Sequence, residues 1–127
     1  MRTVESLSIL NIPADYQSYI TEYIRNISGI PFVSRVILFG SCARAMVKRR
    51  SDIDIFITTN RDISEDEEML LTFHCLPPFS SGTIPIDIIV QSESIFESNA
   101  NQFGMIQKQV DKYGVDISEL LRQRAGD

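Results

Sequence analysis

Apolar residues recur at three- and four-residue steps along the first quarter of the chain. Tyr16, Tyr19, Ile20, Tyr23, Ile24 and Ile27 share one face, Pro13 suits a first helical position, and Gly29 and Pro31 stop the run. The pattern predicts an amphipathic helix over 13–27, whose tyrosine stripe reads as a core-packing face in preference to a partner surface. An apolar run predicts a strand over 33–39, followed by a helix over 42–49 and a second strand over 53–58. Ser64 with Glu67 forms a capping box for an acidic helix reaching about Phe73. Pro77-Pro78-Phe79-Ser80-Ser81-Gly82 is a loop by composition. From 84 to 90, Ile84, Ile86, Ile88 and Val90 define one strand face, and Asp87 with Ile89 the other. Ser94 and Glu97 predict another capping box, opening a helix from Ile95 to Lys112 that Gly114 ends; Asp116 to Arg122 adds a short final helix.

The order α-β-α-β-α-β-α predicts an α/β fold with a mixed central sheet flanked by helices. With 127 residues, 43% of them hydrophobic, one domain over 1–127 is expected, its core at about 33–90 between the helix 13–27 and helices over 94–124. No repeat, low-complexity tract or linker interrupts it. The net charge of −5 and pI near 4.8 argue against a general nucleic-acid binder. The cations are unevenly spread, with five of the 12 between Arg35 and Arg50. Lys48-Arg49-Arg50 reads equally as a solvated helix end or as a phosphate or partner contact. No run of 18 apolar residues predicts a membrane span, and the early apolar stretch, broken by Ser, Asn and Pro, does not read as a secretory signal. Cys42 and Cys75 lack metal-ligand spacing and predict reduced thiols in a cytoplasmic protein. Cys42 reads as a small buried residue, and His74-Cys75, holding the one His of the chain, has too few companions for a zinc site.

The chemistry gathers where the first strand ends and the second begins. Phe39-Gly40-Ser41 turns out of an apolar run, and Ser51-Asp52-Ile53-Asp54-Ile55 enters the next. Asp52 and Asp54 project from the same strand face and repel each other, so a cation is expected between them. A divalent metal carrying a nucleoside triphosphate suits such a pair. Gly40 permits close backbone approach, a helix start after it would offer N–H groups to phosphate, and Ser41 would add a hydroxyl donor. If the later strand pairs beside Asp52 and Asp54, Asp87 joins them, and three carboxylates suit two-metal phosphoryl or nucleotidyl transfer.

These residues resemble the nucleotidyltransferases of the DNA polymerase beta superfamily. That signature is a hydrophobic residue, Gly-Ser, a spacer of about ten residues (here Cys42 to Ser51), Asp-x-Asp between apolar residues, and a third Asp from a later strand. The fuller string Gly-Ser-x-Ala-Arg, with Ser-Asp-Ile-Asp after it, is similar to the minimal nucleotidyltransferases, the group that includes MntA-type antitoxins. The likeness covers about 33 to 90, and Ala45 departs from it, since that group usually has Gly after the Arg.

The resemblance implies Mg²⁺, two ions, bound by Asp52, Asp54 and Asp87, with ATP as the usual donor and Gly40, Ser41 and Arg44 on its phosphates. It implies transfer of AMP onto a hydroxyl of a partner protein, a HEPN-type toxin. A chain this short has no room for the helical acceptor-binding domains of larger polymerase-like enzymes. Two alternatives stand beside it: transfer to a small hydroxylated compound such as an aminoglycoside, and a non-catalytic antitoxin acting by contact alone.

Overall fold

The computed structural model describes residues 1–44, 46–47, 51–78, 84–102 and 104–125. Its frame is a five-stranded mixed sheet in the order β1-β5-β2-β3-β4, built from β1 (Arg2–Thr3), β2 (Val33–Phe39), β3 (Ile53–Thr59), β4 (Ile86–Ser92) and β5 (Val115–Asp116). β2 runs antiparallel to both β3 and β5, whereas β3 and β4 are parallel, as are β1 and β5. The expected mixed sheet between helices is therefore what the chain forms.

Helices cover both faces, which is why the central strands are apolar on both sides. On one face, α1 (Ala14–Ile27) lays Tyr16, Tyr19, Ile20, Tyr23, Ile24 and Ile27 against Val36, Leu38, Ile53, Ile55 and Ile57. The tyrosine stripe is thus buried core, as its spacing indicated. Each hydroxyl donates to a carbonyl of another segment: Tyr16 to Ser51 at 2.6 Å, Tyr19 to Pro77 at 3.3 Å and Tyr23 to Leu71 at 2.6 Å. Burying these rings is favourable because the polar tips are satisfied where they end.

On the other face, Ile37, Phe56, Phe96 and Val110 form a second cluster with Phe39 and Ile89. It lies beneath α3 (Glu93–Asn99) and α4 (Ile106–Tyr113). Arg35 and Glu93 close its far end through a two-pronged ion pair, at 2.6 and 2.9 Å, with the Thr58 hydroxyl donating to the same carboxylate at 2.6 Å. A register shift between Val33 and Arg35 lets Val33 turn to the α1 face while Arg35 serves this one.

Three expectations need correction. No regular helix forms at 41–44 or 46–47: Gly40 to Arg44 is a turn, with Arg44 N–H donating to Gly40 O at 3.3 Å and Met46 N–H to Ser41 O at 3.0 Å. Ala45 and Lys48-Arg49-Arg50 lie outside the described residues, as does 79–83 of the Pro-rich loop. The helix expected from Ile95 to Lys112 is two helices, and Ser92 caps the first by accepting from Ile95 N–H. It breaks between Asn99 and Ile106, where Gly104 takes φ +84, a left-handed conformation that no α-helix contains. The acidic helix α2 (Glu65–Met69) carries the expected Ser64–Glu67 capping box and runs on as a π-helical turn over Leu70–His74, so helical structure reaches Phe73 as expected. Finally, the short helix expected from Asp116 to Arg122 starts only at Glu119 and ends at Ala125, because Asp116 is held in β5 by pairing with Ile37.

Candidate active site

The sheet register brings the candidate residues to one end. Asp54 pairs across to Phe39 on β2 and to Asp87 on β4, so three strands contribute one row of side chains. Because β3 and β4 are parallel and in register at this row, Asp54 and Asp87 project from the same face. It is the α3–α4 face, since Phe56 and Ile89, two residues further along each strand, belong to its cluster. Asp52 precedes β3 by one residue and is exposed, as is Asp87, whereas Asp54 is half-buried.

Gly40 is the backbone floor of this row. Its φ is +70, and a Cβ built there would overlap Asp54 Oδ2 and lie 3.3 Å from Asp54 Cγ. Both the left-handed turn and the space occupied by the Asp54 carboxylate therefore call for glycine. Ser41 follows, half-buried, and Cys42 is buried with its thiol 3.8 Å from Asp52 O. Tyr16, through its bond to Ser51 O, anchors the residue immediately before Asp52.

The carboxylates act on one another electrically. Burial pushes the Asp54 carboxyl above its usual range, and the charges of Asp52 and then Asp87 push it further in the same direction. Burial, with a smaller contribution from Asp54, lifts the Cys42 thiol to about 11, so it is no nucleophile at neutral pH. A set of mutually repelling carboxylates is the hard-oxygen chemistry that Mg²⁺ prefers. Among the described residues, however, no three His, Cys, Asp or Glu side chains are arranged so as to hold a metal ion. Asp54 and Asp87 come together in the fold, and Asp52 stands near enough to be felt by Asp54, but the trio is not closed into a cage.

Arg44 is exposed, and its guanidinium stacks over the Tyr113 ring at 4.5 Å from the centroid. Sequence reading passed over Tyr113 and the Tyr16–Ser51 bond; neither leaves a local signal, since each partner is more than 30 residues away. A hollow of about 460 Å³ lined by Thr59, Arg61, Asp62, Glu93 and Glu97 lies at the opposite end of β3 and β4. Five residues of strand separate Asp54 from Thr59, roughly 16 Å, so that hollow is not part of the carboxylate row. Among the described residues no helix is long and apolar enough to cross a membrane.

No curated protein sequence matches the chain. Among solved structures, a candidate nucleotidyltransferase from Sulfolobus solfataricus is 22% identical, with a TM-score of 0.49, over 74% of this chain and 77% of that one. The family model described as a nucleotidyltransferase domain matches residues 18–119, a span that holds the Gly40–Ser41 turn and all three aspartates. The chain belongs to the nucleotidyltransferase domain family.

Proposed function

We propose that this protein is a metal-dependent nucleotidyltransferase that moves a nucleoside monophosphate, AMP from ATP, onto a hydroxyl of a partner protein. The observation that carries the reading is the in-register pair Asp54 and Asp87 beside the Gly40 turn, with Asp52 within electrostatic reach. Asp54 and Asp87 would hold Mg²⁺, with Asp52 drawn in to complete the set as the ion binds, and the ion would neutralise the triphosphate and the charge that develops during transfer.

The chain's own residues would do the rest. Gly40 has no side chain between the turn backbone and the phosphates, Ser41 donates its hydroxyl to a phosphate oxygen, and Arg44 adds a guanidinium. The exposed Asp87 takes the proton of the acceptor hydroxyl. The acceptor oxygen then bonds to the α-phosphorus, the bond from that phosphorus to the β-phosphate oxygen breaks, and pyrophosphate leaves. The acceptor is a HEPN-type toxin and the protein its antitoxin, a pairing supported by the resemblance of Gly40 to Asp54 to the minimal nucleotidyltransferases.

Transfer of label from α-phosphate-labelled ATP with Mg²⁺ in host-cell lysate, wild type against Asp54→Asn, tests the reading. One labelled protein band with wild type and none with the variant is expected. Label on small molecules or RNA would replace the protein acceptor, and equal labelling by the variant would refute the role of Asp54. If Asp54→Asn still protected cells from the partner toxin, neutralisation would be by contact alone.

A further inference from the structure

Tyr113 ends α4 with 45% of its surface exposed, and its ring lies beside two cations. The Arg44 guanidinium is 4.5 Å from the ring centroid and Lys112 Nζ 5.2 Å from it, both within cation–π range. The place of the ring in the fold is well fixed. Val110, one turn earlier, packs with Ile37 and Phe56 on the sheet face that also carries Asp54 and Asp87. Gly114, the next residue, lies against Ile37 and Leu38, and Val115 pairs with Leu38 on β2. The turn from Gly40 to Arg44 leaves that same end of β2. The ring therefore stands beside the Gly-Ser turn, at the carboxylate end and on the carboxylate face of the sheet.

We propose that Tyr113 is a positioning residue for a nucleoside triphosphate, its ring holding the Arg44 guanidinium, with Lys112 beside it, toward the phosphate tail. The inference rests on the reading of Asp52, Asp54 and Asp87 as a nucleotide site. An exposed arginine has many rotamers to surrender on binding, and stacking on a ring surrenders part of that freedom beforehand. Two cations drawn to one ring also repel each other, and a polyanion between them converts that repulsion into attraction. The face of the ring supplies this function, not its hydroxyl, so phenylalanine substitutes for tyrosine.

Binding of Mg²⁺ with a fluorescent N-methylanthraniloyl ATP, competed by tripolyphosphate or by adenosine, tests the proposal. Tyr113→Ala is expected to weaken ATP-analogue binding and tripolyphosphate competition about two- to fivefold, the range of an exposed cation–π contact. Adenosine competition stays unchanged, Tyr113→Phe restores affinity, and Tyr113→Ala adds nothing in an Arg44→Ala background. Unchanged binding by Tyr113→Ala, or full additivity with Arg44→Ala, overturns the role of Tyr113 while the nucleotide site stands. Failure of the wild type itself to bind the analogue refutes the nucleotide-site reading, and this inference with it.

Discussion

Replacing Gly40 by alanine perturbs the site at its tightest point, and the cost divides into two separable parts. A residue with a Cβ at φ +70 carries a left-handed penalty of about 1–2 kcal/mol. The new methyl also overlaps Asp54 Oδ2, and pushing that carboxylate off its rotamer adds about 0.5–1.5 kcal/mol. The sum is about 1.5–3.5 kcal/mol. For 127 residues, an unfolding entropy of about 0.27 kcal/mol/K turns this into a Tm lowered by roughly 6–13 °C. The second part vanishes in an Asp54→Ala background, because Asp54 Cβ lies at an ordinary 3.5 Å from the built atom. Urea unfolding of the wild type, both single variants and the double variant measures the difference directly. Gly40→Ala should cost about 0.5–1.5 kcal/mol less where Asp54 is already alanine. An equal cost in both backgrounds would mean that the backbone alone demands glycine and that Asp54 does not lean on the turn.

Three further outcomes are expected. Asp54→Asn should stabilise the fold at neutral pH in the presence of EDTA. The Asp54 carboxyl titrates above its ordinary 3.8 in the folded protein, so the stability it lends when protonated is complete below that value and lost as pH rises. The gain over wild type should therefore grow with pH above about 3.8, and a variant no more stable at pH 7 would contradict the crowding of carboxylates. Glu93→Gln should cost about 1–2 kcal/mol in urea unfolding at pH 7, a partly screened charge-assisted pair. Burial pushes the Glu93 carboxyl up, but hydrogen bonds from Arg35 and Thr58 and the charge of Arg35 outweigh it and hold it below 4.5. That contribution is present above 4.5 and fades as pH falls through the lowered value, so a pH-independent cost would refute the ion pair's part. In the native protein at pH 8, a thiol reagent should modify half-buried Cys75 well before buried Cys42, and mass spectrometry of partly modified protein would expose the reverse order.

Much of the fold was legible because local pattern and tertiary role agree. The apolar run over 33–39 is a strand with those bounds, and β3 extends one residue beyond the expected 58. The alternation around Asp87 separated the two faces correctly: Ile84, Ile86, Ile88 and Val90 join the α1-side core, and Ile89 joins the other. What escaped is what local pattern does not encode. β1 and β5 have two residues each, too few for a period, and exist through pairing with strands distant in the chain, β1 with β5 and β5 also with β2. Ser92 and Ser94 both resemble caps; the choice of Ser92 accompanies Glu93, whose carboxylate reaches Arg35 from the first turn of α3. At the site, strand alternation and the expected pairing of the later strand placed Asp87 beside Asp54, whereas the parallel sense of that pairing and the place of Asp52 ahead of β3 came from the fold. The ordering of Arg44 by Tyr113 was not legible either, since a contact between a turn and a distant helix end has no sequence spacing to reveal it.

The three tyrosine hydroxyls of α1 also act as a ruler. Tyr16 and Tyr23 are two turns apart, roughly 10.5 Å along a rigid rod, and from their places on it they tie down Ser51 and Leu71, as Tyr19 does Pro77. Segments far apart in the chain are thus calibrated by one short helix. Outside β3, whose register with β2 and β4 is fixed, the connections between them can change length without moving the marks. An insertion of one residue inside the rod would turn every later mark by about 100°. Tolerance to change should therefore be highest in the connecting loops and lowest between Tyr16 and Tyr23.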